Sequence, residues 1–385
     1  MDYRRRMGGH QKLRFALIGG GEGAFIGAVH RLAAELDSQA ELSAGCFSSD
    51  AERSVRAGEE IYGLPSERCY DDVDALVRGE LAQPGNKRIH FAIVATPNHT
   101  HFPIAHALLQ GGFHVVCDKP LTVTSEEAAS LASLSRDRNL QLAVTYNYTG
   151  YPMVREAREL VASGALGEIR RVQCEYLQGW LATAEETEGN KQAQWRTDPS
   201  RAGAAGCFGD IGSHAENLLH FVTGLEIDTL CADLTTFVPG RALDDDGNVL
   251  LRFAGGARGV ISASQIAVGE ENALTLRVYG TEGALAWSQQ EPNSLLVRWP
   301  DRPFETRRTG GPGSSAPGAR VPAGHPEGYL EAFANLYVAF CATLRGEAGE
   351  SFPDVRDGLR GVRFIEQVVA SSTQGGAWMS MAENQ

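Results

Sequence analysis

An acid and a lysine follow a short apolar run in the stretch Phe113–Pro120, which reads Phe-His-Val-Val-Cys-Asp-Lys-Pro. Residues His114–Cys117 have the apolar, β-branched character of a buried strand. Pro120 favours an extended conformation at Lys119, which holds an ammonium group at the carboxyl end of that strand. Open α/β sheets bind ligands at this edge, so Lys119 is a candidate to stabilise charge on a reacting oxygen. A lysine in a solvated loop is the alternative that so short a motif leaves open.

Asp210 and His214 form a second candidate pair, in the stretch Gly-Asp-Ile-Gly-Ser-His. On a helix their spacing places them on one face, about one turn apart. A neutral imidazole can take a proton from an alcohol, and a nearby carboxylate can orient it. Capping is the alternative: Asp210 could cap a helix, or Ser213 and Glu216 could form a capping box. Four further polar or aromatic residues could contact a sugar ring: Tyr176, Lys191, Trp195 and Arg196. Aromatic residues of this kind are, however, more often core residues.

A glycine-rich turn lies between the first predicted strand, Leu13–Ile18, and a predicted helix, Phe25–Leu36. Gly19-x-Gly21-x-x-Ala24 matches the dinucleotide-binding fingerprint. Gly19 permits a tight turn, Gly21 lets the backbone approach a pyrophosphate, and Ala24 allows close packing of helix and strand. Because the motif stands between a strand and a helix, it predicts NAD or NADP binding by Gly19, Gly21, Ala24 and Phe25. Ordinary turn glycines are the alternative for the motif taken alone.

The second predicted strand, Glu41–Phe47, ends where a dinucleotide site contacts the adenosine ribose. Ser48, Ser49 and Arg53 favour the 2′-phosphate of NADP, whereas Asp50 could accept a hydrogen bond from the 2′-hydroxyl of NAD. We therefore favour NADP and keep NAD open. A helix N-cap at Ser49 or Asp50, followed by an exposed arginine, is the structural alternative.

Strands and helices alternate throughout residues 1–148, which predicts a Rossmann domain with a doubly wound parallel sheet. Right-handed crossovers place the carboxyl ends of its strands on one edge. The glycine turn and three further polar strand ends therefore lie together, and their coincidence favours a functional role for Lys119. The remaining cofactor-binding candidates at this edge are Thr96, Pro97, Asn98, His101, Asp118, Lys119 and Asn147.

Residues 149–385 predict a second domain of the α+β class. Several of its strand-like runs alternate apolar and polar residues, which is typical of a mostly antiparallel open sheet with one wet face. Residues 303–326, rich in Gly, Pro, Ser and Arg, are predicted to form a long loop. Helices are predicted at 327–345 and 355–372.

Charge and cysteine content limit the functional classes. The net charge of −13 on 385 residues argues against a nucleic-acid or anionic-membrane partner. The seven cysteines contain no Cys-x-x-Cys pair, so we expect no zinc site, no other metal and no disulfide framework. Buried reduced thiols favour a cytoplasmic protein. No apolar segment is long enough to cross a bilayer.

Four motifs occur in order: the glycine motif, Thr96-Pro97-Asn98 with His101, Asp118-Lys119-Pro120, and Asp210-x-x-x-His214. Together they resemble the Gfo/Idh/MocA oxidoreductases, the glucose–fructose oxidoreductase and inositol dehydrogenase family. The resemblance implies a Rossmann domain, then an α+β domain whose sheet can form homodimer or homotetramer interfaces. Asp118 replaces the usual Glu of the family's Glu-Lys-Pro motif, and Asn217 stands where many members carry an acid. Two further stretches are similar to those of the levoglucosan dehydrogenase branch: Tyr176-Leu177-Gln178-x-Trp180 and Trp195-Arg196.

The resemblance implies an NAD(P)-dependent dehydrogenase acting on a secondary alcohol of a sugar, anhydrosugar, glycoside or inositol. Lys119, Asp210 and His214 take the catalytic positions. A non-catalytic NAD(P)-binding sensor on the same fold is the alternative of a different class, although it would be expected to lose the lysine or the histidine. An imine or enoyl reductase is a third interpretation. The expected substrate-binding residues are Lys119, Tyr176, Trp195, Arg196, Asp210 and His214.

Overall fold

The computed structural model describes residues 11–314 and 317–382. These form two compact units. Unit 1 comprises the chain as far as Thr122, Glu126–Asn147 and Tyr329–Leu359, and unit 2 comprises Val123–Ser125, Tyr148–Gly328 and the chain from Arg360 onwards. The segment Tyr329–Leu359, which the sequence analysis grouped with the second domain, makes its contacts in unit 1. The predicted boundary at residue 148 stays a prediction.

The helices follow one another along the chain with strands between most of them. In chain order they are α1 (Ile26–Leu36), α2 (Ala51–Glu60), α3 (Val73–Ala82), α4 (His101–Gln110), α5 (Ser125–Asp137), α6 (Pro152–Ala162), α7 (Lys191–Arg196), α8 (Pro199–Ala202), α9 (Ser213–Thr223), α10 (Tyr329–Leu344) and α11 (Val355–Thr373).

Unit 1 contains a five-stranded sheet. Its strands are β1 (Leu13–Gly19), β2 (Ala40–Cys46), β3 (Phe91–Ala95), β4 (His114–Cys117) and β5 (Leu142–Val144). They pair in the order β2-β1-β3-β4-β5, and every pair is parallel. All residues of β3 are buried, as expected for a strand covered on both faces. The predicted parallel, doubly wound sheet is confirmed.

Helix α10 completes the core of unit 1 although it lies far along the chain. Phe340 packs edge-on against Phe91 of β3, with ring centroids 5.3 Å apart. Phe333 packs in the same way against His30 of α1 at 5.3 Å. Because both faces of the sheet are apolar, covering them with helices stabilises the fold through burial of apolar surface.

Unit 2 contains a nine-stranded sheet. Its strands are β6 (Ile169–Leu177), β7 (Ile227–Thr235), β8 (Asp246–Phe253), β9 (Arg258–Ser264), β10 (Ala273–Gly280), β11 (Ala284–Ser288), β12 (Ser294–Arg298), β13 (Glu305–Arg308) and β14 (Met379–Ser380). Their order is β13-β12-β11-β10-β6-β9-β8-β7-β14. The β6–β9 pair is parallel, and the other pairs are antiparallel. The predicted mostly antiparallel sheet is confirmed, and β8 alternates buried with exposed residues.

The predicted loop over residues 303–326 was wrong in part, because it contains the edge strand β13. Its sequence Glu-Thr-Arg-Arg lacks the apolar alternation by which strands are predicted. Pairing with β12 and an ion pair from Arg307 Nη1 to Glu156 Oε1 at 2.7 Å hold it in place. Tertiary contacts, rather than local sequence pattern, therefore make this segment a strand.

Candidate active site

The parallel sheet of unit 1 brings the predicted cofactor-binding residues to one edge. Gly19 ends β1, Ser48 lies just beyond β2, Thr96 follows β3, and Asp118 follows β4. Asn147 lies beyond β5. This edge is where doubly wound sheets bind their ligands.

The glycine loop leaves no room for side chains at its two fingerprint glycines. Gly19 has φ +91°, and a Cβ there would lie 2.3 Å from Ala95 O. A Cβ at Gly21 would lie 2.5 Å from Phe47 O. Gly27 of α1 also packs close to the loop, because a Cβ there would lie 2.4 Å from Gly20 Cα. Such a bare backbone fits the approach of a pyrophosphate.

We predict that Gly19→Ala abolishes dinucleotide binding and destabilises the protein. The substitution combines a positive φ with a backbone clash, and unfavourable backbone conformations alone cost about 1–3 kcal/mol. Thermal unfolding and fluorescence titration with NADH measure the two effects. Gly63→Ala is the matched control, because Gly63 has φ +66° but nothing within 4 Å of its Cβ position. Equal loss of binding in both variants would contradict the steric role of Gly19.

The ribose end of the predicted dinucleotide site contains both NADP-type and NAD-type side chains. Asp50 caps α2, because its Oδ1 accepts the Arg53 backbone N–H at 2.9 Å. Ser48 Oγ accepts the Asp50 N–H at 3.1 Å. Ser49 and Arg53 are exposed. The capping interpretation is therefore confirmed for Asp50, while the Arg53 guanidinium stays a candidate for a 2′-phosphate.

His101 connects two of the strand ends. One ring nitrogen lies 2.8 Å from Pro120 O and the other 2.8 Å from Thr96 O. Burial lowers the pKa of His101, against the raising effect of these two hydrogen bonds. His101 thus fixes the backbone beside Pro97 and Asn98 rather than offering a nitrogen to a ligand.

Asn147 is the cofactor candidate with an unsatisfied polar atom. It is buried, and among the described residues its Nδ2 has no hydrogen-bond partner. Buried amide donors are costly when unpaired, so this atom fits a ligand that accepts a hydrogen bond. Together with the bare glycine loop, it shows that the residues present suit a dinucleotide.

Lys119 is half-buried, and the acid before it is held firmly. Asp118 Oδ1 accepts the Lys119 backbone N–H at 2.9 Å and the Thr145 hydroxyl at 2.7 Å. The Lys119–Pro120 peptide bond is cis. Burial alone would raise the pKa of Asp118, but His30, the Lys119 ammonium and the Thr145 hydroxyl together hold that pKa well below its usual range. An ionised carboxylate therefore stands directly before the candidate lysine.

Asp210 of unit 2 lies in a π-helical segment, Phe208–Gly212, which runs into α9. Its Oδ2 accepts Arg196 Nε at 3.2 Å and Gln265 Nε2 at 2.9 Å. π-Bulges of this kind are frequent at functional sites. Asp210 and His214 thus lie on one continuous helical stretch whose first turn is π-helical.

Both capping alternatives for the Asp210 stretch were wrong. Gly212 is the N-cap of α9 and makes no side-chain capping bond. The Ser213 hydroxyl donates to Gly209 O at 2.9 Å, and Glu216 Oε1 accepts from Arg360 Nε at 2.8 Å. Asp210, Ser213 and Glu216 therefore bond partners other than the N-terminal backbone groups of α9.

The buried Asp244 fixes the π-helical segment from the β7–β8 connection. Its carboxylate accepts the backbone N–H groups of Gly206 at 2.7 Å and Phe208 at 2.9 Å. Burial raises the pKa of Asp244 against the lowering effect of these bonds. Asp210 consequently projects from a backbone held at both Gly206 and Phe208.

His214, on α9, lies against an aromatic and polar network. Its ring packs edge-on to Tyr148 with centroids 4.8 Å apart and to Tyr176 at 6.2 Å. The two tyrosine hydroxyls hydrogen-bond each other, and Tyr176 also donates to Asn272 Oδ1 at 2.6 Å. Gln178 Nε2 donates to the same oxygen at 2.8 Å. This network fixes one side of the imidazole.

Two tryptophans surround Arg196. Its guanidinium carbon lies 4.2 Å from the ring centroid of Trp195 and 6.0 Å from that of Trp180. Trp180 Nε1 donates to Gln178 Oε1 at 2.9 Å. Lys191, by contrast, begins α7 and is exposed. The structure thus brings Arg196, Asp210 and Trp195 together and connects Tyr176 with His214.

Sequence reasoning missed several residues that hold these groups. Gln265, just after β9, bonds Asp210, and Asn272, just before β10, bonds Tyr176; no local pattern marks either residue. Tyr62 donates to Gly20 O at 2.5 Å and anchors the glycine loop. His30 could have been noticed, because it is a polar residue at an apolar-face position of α1, beside Val29 and Ala33.

The sequence predicts neither a metal site nor a membrane-spanning segment. In the part of the chain that the structure describes, no group of three or more metal-binding side chains was found. Within residues 11–314 and 317–382, no helix combines the length and apolarity needed to span a membrane. All seven cysteines are free thiols, and all except Cys231 are buried.

Comparison with known proteins is consistent with these features. Residues 13–146 match the oxidoreductase family with an NAD-binding Rossmann fold, and residues 154–286 match the GFO/IDH/MocA C-terminal domain. The uncharacterized oxidoreductase YfiI of Bacillus subtilis is 32% identical, over 95% of this chain and 96% of its own. Levoglucosan dehydrogenase of Pseudarthrobacter phenanthrenivorans is 28% identical, over 97% and 99%.

A solved structure extends the similarity to three dimensions. The inositol dehydrogenase homolog of Azotobacter vinelandii, complexed with NAD+, superposes with a TM-score of 0.92 at 36% identity, covering 96% of this chain and 97% of that one. The match spans both units rather than the Rossmann unit alone. The chain therefore belongs to the Gfo/Idh/MocA family of oxidoreductases, with an NAD-binding Rossmann fold.

Proposed function

We propose that this oxidoreductase transfers hydride between a nicotinamide dinucleotide and a secondary alcohol of a sugar, anhydrosugar, glycoside or inositol. The observation that carries the proposal is the position of Lys119, which follows β4 at the same sheet edge as the glycine loop. The names of two relatives, levoglucosan dehydrogenase and inositol dehydrogenase homolog, support a polyhydroxylated ring as the substrate.

Each proposed residue has a separate task in the reaction. The dinucleotide supplies the hydride chemistry, which side chains cannot provide. His214 takes the hydroxyl proton during oxidation and returns it during reduction. Lys119 donates a hydrogen bond to the same oxygen and stabilises the charge that develops there. Asp210, held by Arg196 and Gln265, orients the pair, while Trp195, Arg196 and Tyr176 contact the sugar.

A substrate panel tests this proposal. The purified protein is incubated with NAD+ or NADP+ and with sugars, anhydrosugars, glycosides and inositols, and formation of reduced nicotinamide is followed by absorbance. We expect turnover with at least one compound that has a ring secondary alcohol. Dinucleotide binding without turnover of any panel member would contradict the proposal and favour the sensor interpretation.

We also propose that the protein prefers NADP over NAD, with Arg53 contacting the 2′-phosphate. The exposed Arg53 guanidinium and the adjacent Ser48 and Ser49 support this preference, because Arg suits bidentate phosphate contacts. The NAD+ complex of the inositol dehydrogenase homolog and the acid Asp50 support the opposite preference.

Arg53→Ala is expected to weaken NADP binding by roughly tenfold or more, as for loss of a charge-assisted hydrogen bond, and to leave NAD binding unchanged. Dissociation constants for both cofactors provide the comparison. Arg78→Ala, which removes an exposed arginine of α3 in the same unit, is the matched control. Equal weakening of NAD and NADP in Arg53→Ala would rule out the 2′-phosphate contact.

We further propose a cytoplasmic homodimer or homotetramer. The seven free thiols support a reducing compartment, because persisting disulfides mark oxidising ones. Light scattering of the purified protein measures the oligomeric state, and a monomer would contradict this part of the proposal.

A further inference from the structure

His30 is a fully buried histidine in unit 1 that the proposed reaction does not use. Its Nδ1 lies 2.6 Å from the Tyr337 hydroxyl of α10, and its ring is 0% exposed. Its Nε2 has no hydrogen-bond partner among the described residues. That nitrogen lies 4.0 Å from Asp118 Oδ2, which directly precedes Lys119. A buried imidazole nitrogen aimed at a carboxylate calls for an explanation, because unpaired buried polar groups are costly.

The chemistry of the neighbours assigns the ring proton. A carboxylate only accepts hydrogen bonds, so the proton facing Asp118 belongs on Nε2. Nδ1 lies within hydrogen-bond distance of the Tyr337 hydroxyl. Burial, followed by the charge of Asp118, raises the pKa of Tyr337 well above its usual value, so this hydroxyl keeps its proton. The His30 ring therefore lies between the Tyr337 hydroxyl, 2.6 Å from Nδ1, and Asp118 Oδ2, 4.0 Å from Nε2.

The two oxygens of the Asp118 carboxylate have different neighbours. Oδ1 accepts the Lys119 backbone N–H and the Thr145 hydroxyl, whereas Oδ2 faces His30. The carboxylate plane is thus defined by β4, β5 and α1 together. Because Lys119 is bonded to this carboxylate through its own backbone, rotation of Asp118 would displace the lysine.

We infer that His30, held by Tyr337, is a positioning residue that fixes the Asp118 carboxylate and, through it, Lys119. The inference rests on the proposed function for the role of Lys119. It also connects the two halves of the site within unit 1, since α1 begins directly after the glycine loop. His30 touches neither reactant and acts only through Asp118.

Two amide variants distinguish the roles of the two ring nitrogens of His30. The amide nitrogen of His30→Gln can replace Nε2, whereas that of His30→Asn can replace only Nδ1. We expect His30→Asn to lower kcat by about 10²-fold, the effect of misplacing a catalytic group by about 1 Å, with KM and dinucleotide affinity nearly unchanged. His30→Gln should restore most of the lost turnover, and Tyr337→Phe should give an intermediate loss. Phe333→Leu, which alters packing against the same ring, should retain wild-type kcat.

A second measurement needs no substrate. The chain has only four lysines, Lys12, Lys87, Lys119 and Lys191, so NMR of ¹³C-methylated lysines resolves each one, with Lys119→Arg for assignment. In the wild type, the low pKa of Asp118 predicts no Asp118 inflection at Lys119 in the weakly acidic range. His30→Asn removes the lowering effect of His30 while burial remains, so the Asp118 pKa should rise and an inflection should appear there; in His30→Gln it should not.

The inflection must be assigned among the groups around Asp118. Burial keeps the pKa of Cys117 well above its usual value and that of His101 below its usual value. Adding Asp118→Asn to His30→Asn should remove the inflection if it belongs to Asp118. The titratable groups facing Asp118 are His30 from α1, His101 from α4, Cys117 and Lys119 from β4 and its end, and Tyr337 from α10.

The outcomes distinguish this inference from the proposed function. Equal kcat in His30→Asn and the wild type, or equal losses in the Asn and Gln variants, would overturn the positioning role. Absence of the Asp118 inflection from the Lys119 resonance of His30→Asn would overturn it as well. A wild type without dehydrogenase activity, but with the expected NMR titrations, would refute the proposed function and leave the positioning of Lys119 by His30 supported.

Discussion

Lys119→Ala is expected to lower kcat by roughly 10²–10³-fold, the loss typical of removing one donor that stabilises a developing oxyanion. Dinucleotide affinity should remain close to that of the wild type, because the glycine loop is built by other residues. KM should change little, since the lost hydrogen bond strengthens chiefly in the transition state. Steady-state kinetics with the best panel substrate and fluorescence titration with NADH measure the two quantities.

Two variants control for charge and for lysine loss in general. Lys119→Arg keeps a cation but changes its geometry, so we expect only partial recovery of kcat. Lys87→Ala removes an exposed lysine of the same unit and should leave kcat unchanged. Turnover in Lys119→Ala equal to that of the wild type would remove this lysine from the mechanism.

His214→Ala is expected to reduce kcat for alcohol oxidation by roughly 10²–10⁴-fold, as for loss of a general base. The deficit should shrink as the pH rises, because hydroxide can then remove the proton. Added imidazole should partly restore turnover by occupying the space of the missing ring. The pH dependence of kcat with and without imidazole measures both effects.

His220→Ala is the matched control on the same helix. His220 lies near the end of α9, where its Nδ1 is 3.3 Å from Leu225 O, so its loss should leave kcat and its pH profile unchanged. A His214→Ala enzyme with wild-type turnover, or one whose deficit is constant with pH and unaffected by imidazole, would show that His214 is not the base.

The parallel sheet of unit 1 could be predicted from the sequence because its determinants are local, whereas the packing of α10 in the same unit could not. Short apolar strands, the glycine turn after Leu13–Gly19 and the helical patterns between strands require only neighbouring residues. Parallel pairing and right-handed crossovers then place the strand ends on one edge. Lys119 and Asn147 were consequently predicted at the edge where the structure has them.

The contacts of the catalytic candidates could not be predicted, because they depend on distant residues. Gln265 bonds Asp210 from the end of β9, and Tyr337 reaches His30 from α10. The π-helical segment around Asp210 depends on Asp244, a side chain outside that segment. Capping was the alternative that the local residue types left open there, and tertiary hydrogen bonds determine the structure instead.

The most direct test of the central claim is a crystal structure of the protein with oxidised dinucleotide and the best substrate of the panel. We predict that Lys119 Nζ and one ring nitrogen of His214 both lie within hydrogen-bond distance, about 2.6–3.2 Å, of a single substrate oxygen. A complex in which the two side chains contact different oxygens, or in which either contacts no substrate atom, would contradict the account.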